Sequence, residues 1–131
     1  MFYYDDGKDY SQWFASEEGI ITEIDSFFKQ EGSIFYLETI EDSTLSYFTL
    51  QGYYELLMNF PEFKDFVLAF TLKSLVEVGD RLKDLQFRNA KQRYQFLLEQ
   101  HPTILQRVPL GHIASYLGIT QQSLSRIRSK M

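Results

Sequence analysis

The sequence of 131 residues contains no cysteine, which excludes disulfide bonds and thiolate metal sites and is typical of proteins from a reducing cytosol. It also lacks an uninterrupted apolar run long enough to span a bilayer. The first residues read Met-Phe-Tyr-Tyr-Asp-Asp-Gly rather than a basic stretch followed by an apolar one, so no signal peptide is predicted. We therefore expect a cytoplasmic protein with no membrane partner.

Motifs for catalysis and cofactor binding are absent as well. There is no glycine-rich phosphate loop after a strand and no Gly-x-Ser-x-Gly nucleophile turn. His101 and His112 have no cysteine or paired carboxylates at metal-ligand spacing, and we interpret both as surface or helix-end residues. The acids between Glu17 and Asp25 have no partner base, which favours a solvated loop over acid–base catalysis. We predict no enzyme activity, no metal and no cofactor.

Basic residues are scarce in the first half of the chain and acidic residues are missing from its end. Residues 1–60 contain twelve acids and two lysines, whereas residues 102–131 contain four bases and no acid. The net charge of −5 therefore hides a C-terminal segment that attracts phosphate groups. The overall charge does not exclude DNA as a partner.

The first half of the sequence has the pattern of a small antiparallel sheet. Asp6-Gly7 lies between aromatic β-formers, which predicts a hairpin over residues 2–14. Residues 34–40 and 44–49 look like a second strand pair turned at residues 41–43. Residues 20–28 are compatible with either a strand end or a short helix.

Helical patterns follow. Residues Leu50 to Asn59 predict a short helix, and Pro61 opens a longer one that runs to about Asp84 or Phe87. One stripe of the long helix has the four-three spacing of a two-helix seam, which we predict to be a dimer contact: Leu68, Leu72, Leu75, Gly79 and Leu82. A second apolar stripe of this helix contains Phe63, Phe66, Val67 and Phe70, and the alternative is that both stripes are buried within one monomer.

The last thirty residues contain the most specific pattern, after a helix predicted from Asn89 to Gln100. A helix with Ile113 and Leu117 one turn apart meets Gly118, which allows the positive φ of a tight turn. Thr120 is a good N-cap for a second helix that begins at Gln121. One small core is predicted from five apolar residues, namely Ile113, Leu117, Ile119, Leu124 and Ile127. This is the pattern of a helix-turn-helix.

The second of these helices is polar and has no acidic residue. The side chains that we predict to contact DNA are Thr120, Gln121, Gln122, Ser123, Ser125, Arg126, Arg128 and Lys130. Gln can pair with two edge atoms of adenine, Arg with two of guanine, and Ser or Lys with a phosphate. The alternative is a merely solvated helix face, since two short helices joined by a glycine occur in many α-helical domains.

Together these segments resemble the bacterial Crp/Fnr family of transcriptional regulators. The resemblance to the DNA-binding domain of that family lies in Asn89–Tyr94, Gln106–Pro109, Ile113–Thr120 and Leu124–Arg128. Residues 2–85 are more weakly similar to the second half of the family's cyclic-nucleotide-binding β-roll and to its dimerisation helix.

The resemblance implies an α+β fold in three parts. These are a partial antiparallel β-roll at residues 1–60, a long dimerisation helix at residues 61–87 and a C-terminal all-α helix-turn-helix domain at residues 88–131. By position, Gln121, Gln122 and Arg126 match the family's base-reading residues. The two glutamines differ from the Arg-Glu pair of the best-known member, so the resemblance implies a different operator.

Three departures from the family limit what the resemblance implies. The sensor domain of the family normally begins with further strands, so we expect a regulator without its first β-roll strands. Where ligand-binding members hold a cyclic nucleotide with Gly-Glu and Arg-Ser or Arg-Thr, this sequence has Thr22-Glu23 and Ser33-Ile34. Glu23 and Ser33 would form a degenerate ligand site without an Arg for the phosphate, so no cyclic nucleotide is expected. Finally, the β-hairpin wing of many members is not expected after the second helix.

The function predicted from these patterns is a sequence-specific regulator that binds double-stranded DNA as a homodimer. The alternative is a truncated, non-enzymatic sensor or interaction module that heterodimerises with a full-length regulator through the stripe from Leu68 to Leu82.

Overall fold

The computed structural model describes residues 1–130, and its fold is mixed α+β. Over these residues the chain forms seven helices and one three-stranded antiparallel sheet. It divides into two compact units: one contains Met1–Ser43 and the residues from Ala90 onwards, and the other contains Thr44–Asn89. The three segments expected from the sequence, residues 1–60, 61–87 and 88–131, stay a prediction.

The predicted N-terminal hairpin is confirmed. Strands β1 (Phe2–Asp5) and β2 (Lys8–Ser11) pair antiparallel and are joined by a two-residue turn. Asp6 and Gly7 in that turn have φ angles of 45° and 77°. Two positive φ angles are what a tight hairpin turn of right-handed twist requires, and Asp-Gly is a favoured pair for it. Short-range turn chemistry therefore fixes this element.

The second predicted strand pair is wrong. In residues 34–40 only β3 (Phe35–Tyr36) is a strand, and it pairs antiparallel with β1 rather than with residues 44–49. The resulting strand order is β2-β1-β3. Residues 44–49 contain no strand, and their Tyr47 is 89% exposed. Strand propensity depends on a neighbouring strand and a half-buried surface, and here the Phe48 ring packs on the helical residues Tyr53 and Phe63 instead.

Residues 20–28 contain a short helix, one of the two predicted alternatives. Helix α1 (Ile24–Lys29) is capped by Glu23, whose carboxylate accepts hydrogen bonds from the backbone N–H groups of Asp25 and Ser26. A carboxylate at this position satisfies helix-end donors and favours the positive end of the helix dipole.

The unit Thr44–Asn89 consists mainly of two helices that match their predicted bounds. These are α2 (Leu50–Asn59) and α3 (Pro61–Phe87), with Pro61 in the first turn of α3. The rings of Tyr53 and Phe63, 5.9 Å apart, pack the two helices together. Of the 27 residues in α3, only Asp84 is buried.

The other unit contains the remaining helices and the main core. The helices are α4 (Ala90–Gln100), α5 (Ile104–Arg107), α6 (Leu110–Tyr116) and α7 (Gln121–Arg128), of which α5 was not predicted. The buried apolar residues all lie here: Tyr94, Leu97, Ile104, Ile113, Ala114, Leu117 and Leu124. The predicted core positions 113, 117 and 124 are confirmed, whereas Ile119 and Ile127 are half-buried at its edge.

Candidate nucleic-acid interface

The connection between α6 and α7 is a defined turn. Gly118 has a φ angle of 68°, and its N–H donates to the Ser115 carbonyl over 2.9 Å. The Ile119 N–H donates to the Ala114 carbonyl over 3.0 Å. This pair of hydrogen bonds around a glycine of positive φ is a Schellman termination, which ends α6 and turns the chain sharply.

The start of α7 is fixed by the predicted cap. The Thr120 hydroxyl oxygen accepts a hydrogen bond of 3.1 Å from the Ser123 N–H, and the two hydroxyl groups are 2.9 Å apart. Thr120 and Ser123 were both predicted to contact DNA. In the structure their side chains bond to each other and orient the first turn of α7, so their direct role is in positioning this helix.

The other six predicted DNA-contacting residues are exposed: Gln121, Gln122, Ser125, Arg126, Arg128 and Lys130. With 3.6 residues per turn, Gln122 and Arg126 lie on the side of α7 opposite Leu124, whereas Arg128 lies about 40° from Leu124 and is exposed at the end of the helix. Among residues 1–130, Arg126, Arg128 and Lys130 have no acidic partner within ion-pair distance. The exposed face of α7 is therefore polar, positive and unpaired.

Arg93 supports this arrangement from α4. Its Nε donates a hydrogen bond of 3.1 Å to the carbonyl of Leu117, at the C-terminal end of α6. The last carbonyls of a helix have no partner within the helix, and a cation there also favours the negative end of the helix dipole. Arg93 was part of the sequence resemblance without an assigned role, and this hydrogen bond links α4 to the turn before α7.

The N-terminal hairpin packs against α6, which the sequence analysis did not predict. The Ser11 N–H donates to the Ser115 hydroxyl over 2.9 Å, and that hydroxyl donates to the Asp9 carbonyl over 3.1 Å. The Ser11 hydroxyl lies 3.5 Å from Nδ1 of His112. Ser115 thus joins β2 to α6 although the two are far apart in sequence. Serines carry no periodic pattern that would have revealed this contact.

Arg107, at the end of α5, makes ion pairs with two acids from the N-terminal segment. Its guanidinium lies 2.7 Å from a carboxylate oxygen of Glu17 and 2.7 Å from one of Glu41. Hydrogen bonds from Arg107 lower the pKa of Glu17 to about 2 and also lower the pKa of Glu41. The two carboxylates in turn raise the pKa of Arg107. We call these three residues the acidic clamp.

The sequence limits where the acidic partners of Arg107 can lie. Arg107 is the one Lys or Arg between His101 and Arg126, and no acid lies in that stretch. Any acidic partner of Arg107 would therefore come from elsewhere in the chain, where the acids are concentrated in residues 1–60.

The predicted degenerate ligand site is used in local structure. Glu23 caps α1 with both carboxylate oxygens, and the Ser33 hydroxyl accepts a hydrogen bond of 2.9 Å from the Phe35 N–H. The absence of a cyclic nucleotide stays a prediction. Of the two histidines, His101 is exposed after α4 and His112 is half-buried in α6. Residues 1–130 contain no group of three His, Cys, Asp or Glu that could hold a metal ion.

The predicted dimer seam lies along α3 in the other unit. Its four leucines, Leu68, Leu72, Leu75 and Leu82, are 55–66% exposed, and Gly79 is half-buried. The dimer contact and its alternative, burial of both apolar stripes within one monomer, both stay predictions. Within the described part of the chain, no helix is both long and apolar enough to cross a membrane.

A shallow cleft between β2 and α6 is lined by Lys8, Asp9, Pro109, Gly111, His112 and Ser115. The Ser115 hydroxyl donates its proton to a backbone carbonyl, and Nδ1 of His112 contacts Ser11. The Ser11 hydroxyl, at 3.5 Å from Nδ1 of His112, is farther from this base than the roughly 2.6–3.2 Å of a nucleophile–base pair, and Ser11 is buried. The cleft belongs to the packing of the hairpin on α6.

Comparisons of the chain with protein-family models, with curated protein sequences and with solved structures found no match. The proposals that follow are accordingly supported by the residues and their geometry.

Proposed function

We propose that this protein is a sequence-specific DNA-binding transcriptional regulator that acts as a homodimer, with α6, the turn and α7 as its helix-turn-helix. The observation that carries this proposal is the exposed face of α7, which is polar, positive and free of acids. Leu124 fixes that face by packing into the core with Ile113 and Leu117. The resemblance to the Crp/Fnr family supports the same function.

The spacing of the exposed side chains on α7 fits the spacing of bases in the major groove. Gln122 and Arg126 are four residues apart on one side, which is about 6 Å along the helix axis. Successive bases on one strand are about 3.4 Å apart, so the two side chains can reach bases roughly two positions apart. Arg126 would pair with a guanine and Gln122 with an adenine, while Arg128 and Lys130 would contact phosphates.

A homodimer follows from the length of this helix and from the exposed leucines of α3. Helix α7 has 8 residues and reaches only a few base pairs, so a second half-site about one helical turn away must supply the remaining specificity. On α3, Leu68, Leu72, Leu75 and Leu82 leave an apolar stripe open to a second α3. Burial of each leucine would contribute about 1–2 kcal/mol to association before entropic costs.

DNA reading by Arg126 is tested by comparing Arg126→Ala with Arg128→Ala, two substitutions that remove the same charge from the same helix. A preferred site is first selected from random duplexes with the parent protein. For Arg126→Ala we expect a loss of specific binding of about 1–3 kcal/mol, or roughly 5- to 150-fold, with relaxed preference at one base pair.

Arg128→Ala should weaken binding to selected and scrambled duplexes alike, because a phosphate contact carries no sequence information. A gel-shift series in which Arg126→Ala keeps the parent's ratio of specific to non-specific binding contradicts the role given to Arg126. Failure of the parent to enrich any duplex contradicts the proposed function.

The dimer is tested by sedimentation of Leu75→Lys, with Glu77→Lys as a lysine placed on the opposite side of α3. We expect the parent and Glu77→Lys to be dimers and Leu75→Lys to be monomeric, because a lysine in the seam must be desolvated without a partner. A dimeric Leu75→Lys variant contradicts this seam. A monomeric parent that associates with a full-length regulator through Leu75 supports the heterodimeric alternative instead.

A further inference from the structure

We propose that the acidic clamp is autoinhibitory: Glu17 and Glu41 occupy Arg107 beside the DNA-reading helices, and tight DNA binding requires these ion pairs to open. The inference rests on the proposed DNA-binding function, and it adds that the N-terminal segment of the same chain regulates DNA binding.

The geometry of the acidic clamp leaves Arg107 little capacity for a phosphate. Its Nε is 3.0 and 3.2 Å from the two carboxylate oxygens of Glu41, and its Nη2 is 2.7 Å from one oxygen of each acid. Its Nη1 lies 2.9 Å from the second oxygen of Glu17. All three nitrogens of the guanidinium are therefore engaged with carboxylates. A DNA phosphate would have to compete with two bidentate partners for the same fork of donors.

The acidic clamp lies next to the helices that would approach DNA. Arg107 ends α5, and α6 begins at Leu110. At the start of α6, a Cβ atom built on Gly111 would be 3.9 Å from Oε1 of Gln121, so this end of α6 adjoins the start of α7. In a helix-turn-helix the first helix crosses the phosphate backbone. Glu17 and Glu41 are thus held close to the path that phosphates would follow.

The charges explain the expected inhibition. Residues 102–131 contain four bases and no acid, so Arg107 is a quarter of the positive charge there. Two carboxylates convert its contribution from +1 to a local −1. Charges within about 8–10 Å of each other still interact at physiological salt. A local negative charge beside the phosphate path therefore weakens association with DNA, most strongly at low salt.

The acidic clamp can open at little cost to the fold. Both carboxylates are exposed, and exposed ion pairs contribute little to folding stability. The hydrogen bonds of the Ser115 hydroxyl with the Ser11 N–H and the Asp9 carbonyl hold β2 on α6 independently of Arg107, so the N-terminal segment would stay attached after the clamp opens. The Glu17 carboxyl is ionised at neutral pH with its ordinary pKa, and Arg107 lowers that pKa further, to about 2. Competition by phosphates, rather than protonation, is the release that this geometry favours.

The experiment compares two double variants that remove the same charge from the same two loops. Glu17→Gln with Glu41→Gln opens the acidic clamp. Glu18→Gln with Asp42→Asn is the control, because these neighbouring acids are exposed and have no ion pair among the described residues. Any difference between the double variants then reports the ion pairs of Arg107 rather than net charge.

Two measurements are made on the full chain. Hydrogen exchange without DNA should be faster over residues 37–43 in the clamp double variant than in the control. Affinity for a duplex selected by the parent should be about five- to tenfold higher for the clamp double variant at 50 mM salt than for the control. This difference should shrink at 200 mM salt, and each single variant should be intermediate because it keeps one bidentate pair.

Equal affinities of the two double variants, with a parent that binds DNA, overturn the inference and leave the proposed function in place. Weaker binding by the clamp double variant also overturns it, since the ion pairs would then support the DNA-reading helices. If the parent enriches no duplex, the proposed function fails and the inference fails with it. Thermal unfolding of both double variants, expected to match the parent closely, shows that the comparison concerns folded protein.

Discussion

Leu124→Ala tests the core that holds α7 in place. Leu124 is 0% exposed and packs with Ile113 and Leu117, which are equally enclosed. The substitution removes three buried carbon atoms, which is about 2.4 kcal/mol at roughly 0.8 kcal/mol per methylene. The cavity left behind adds to this, and comparable substitutions in well-packed cores cost about 2.7–5.0 kcal/mol. We expect a loss of about 3 kcal/mol, because α7 is short and can relax partly into the space.

The measurement is urea unfolding followed by circular dichroism, combined with hydrogen exchange over residues 110–128 to separate this unit from Thr44–Asn89. Gln122→Ala on the exposed side of α7 is the matched control and should change the unfolding free energy by no more than about 0.5 kcal/mol. A cost below about 1 kcal/mol for Leu124→Ala, or one equal to that of the control, refutes the packing of α7 on α6 described above.

Three further predictions concern the elements around this core. Arg93→Ala should lower the free energy of unfolding in urea by about 1.5–3 kcal/mol, because it removes a charged donor from the last carbonyls of α6. Lys91 is exposed on the same helix as Arg93, and Lys91→Ala should change the free energy of unfolding very little. Equal losses for the two variants contradict a role for the Arg93 hydrogen bond. Gly118→Ala should cost about 1–2 kcal/mol in thermal unfolding since φ is 68°, and Gly118→Asn should cost less; a neutral alanine refutes the positive φ. The ion pair of Glu17 should stabilise the fold at pH values above 4.5, the ordinary pKa of Glu17, and this stabilisation should be lost as the pH falls towards 2. A carboxyl NMR titration checks this, and a midpoint for Glu17 that does not rise when Arg107 is replaced by Gln contradicts the pairing.

Local chemistry made several elements predictable from the sequence. Asp6-Gly7 specifies the hairpin turn, Pro61 marks the first turn of α3, and Thr120 caps α7, because each effect depends on residues within one turn of the chain. The pattern of Leu117, Gly118 and Leu124 likewise placed α6, its termination and the core beneath α7.

Contacts between distant segments could not be predicted in the same way. The β-formers of residues 44–49 had the composition of a strand, but a strand needs a neighbour, and β1 pairs with β2 and β3 instead. The acidic clamp joins Arg107 to acids far away in sequence, and nothing local to Glu17 distinguishes it from Glu18. Thr120 and Ser123 have the residue types of phosphate contacts, yet the Thr120 hydroxyl caps α7 and the Ser123 hydroxyl bonds to it.

The hydrogen bond between Ser11 and Ser115 has a consequence for synthesis on the ribosome. The two residues are 104 positions apart, so the partner of β2 is made long after β2 itself. At about 5–20 residues per second the interval is on the order of 5–20 s. During that time β2 has only β1 as a neighbour, in a small sheet whose third strand is two residues long, and it lacks the helix against which it packs, so this sheet is at best marginally stable in water. The packing of β2 on α6 therefore forms only in the last part of translation. In nascent chains stalled before α6 emerges, β1 and β2 should stay accessible to chaperones and proteases.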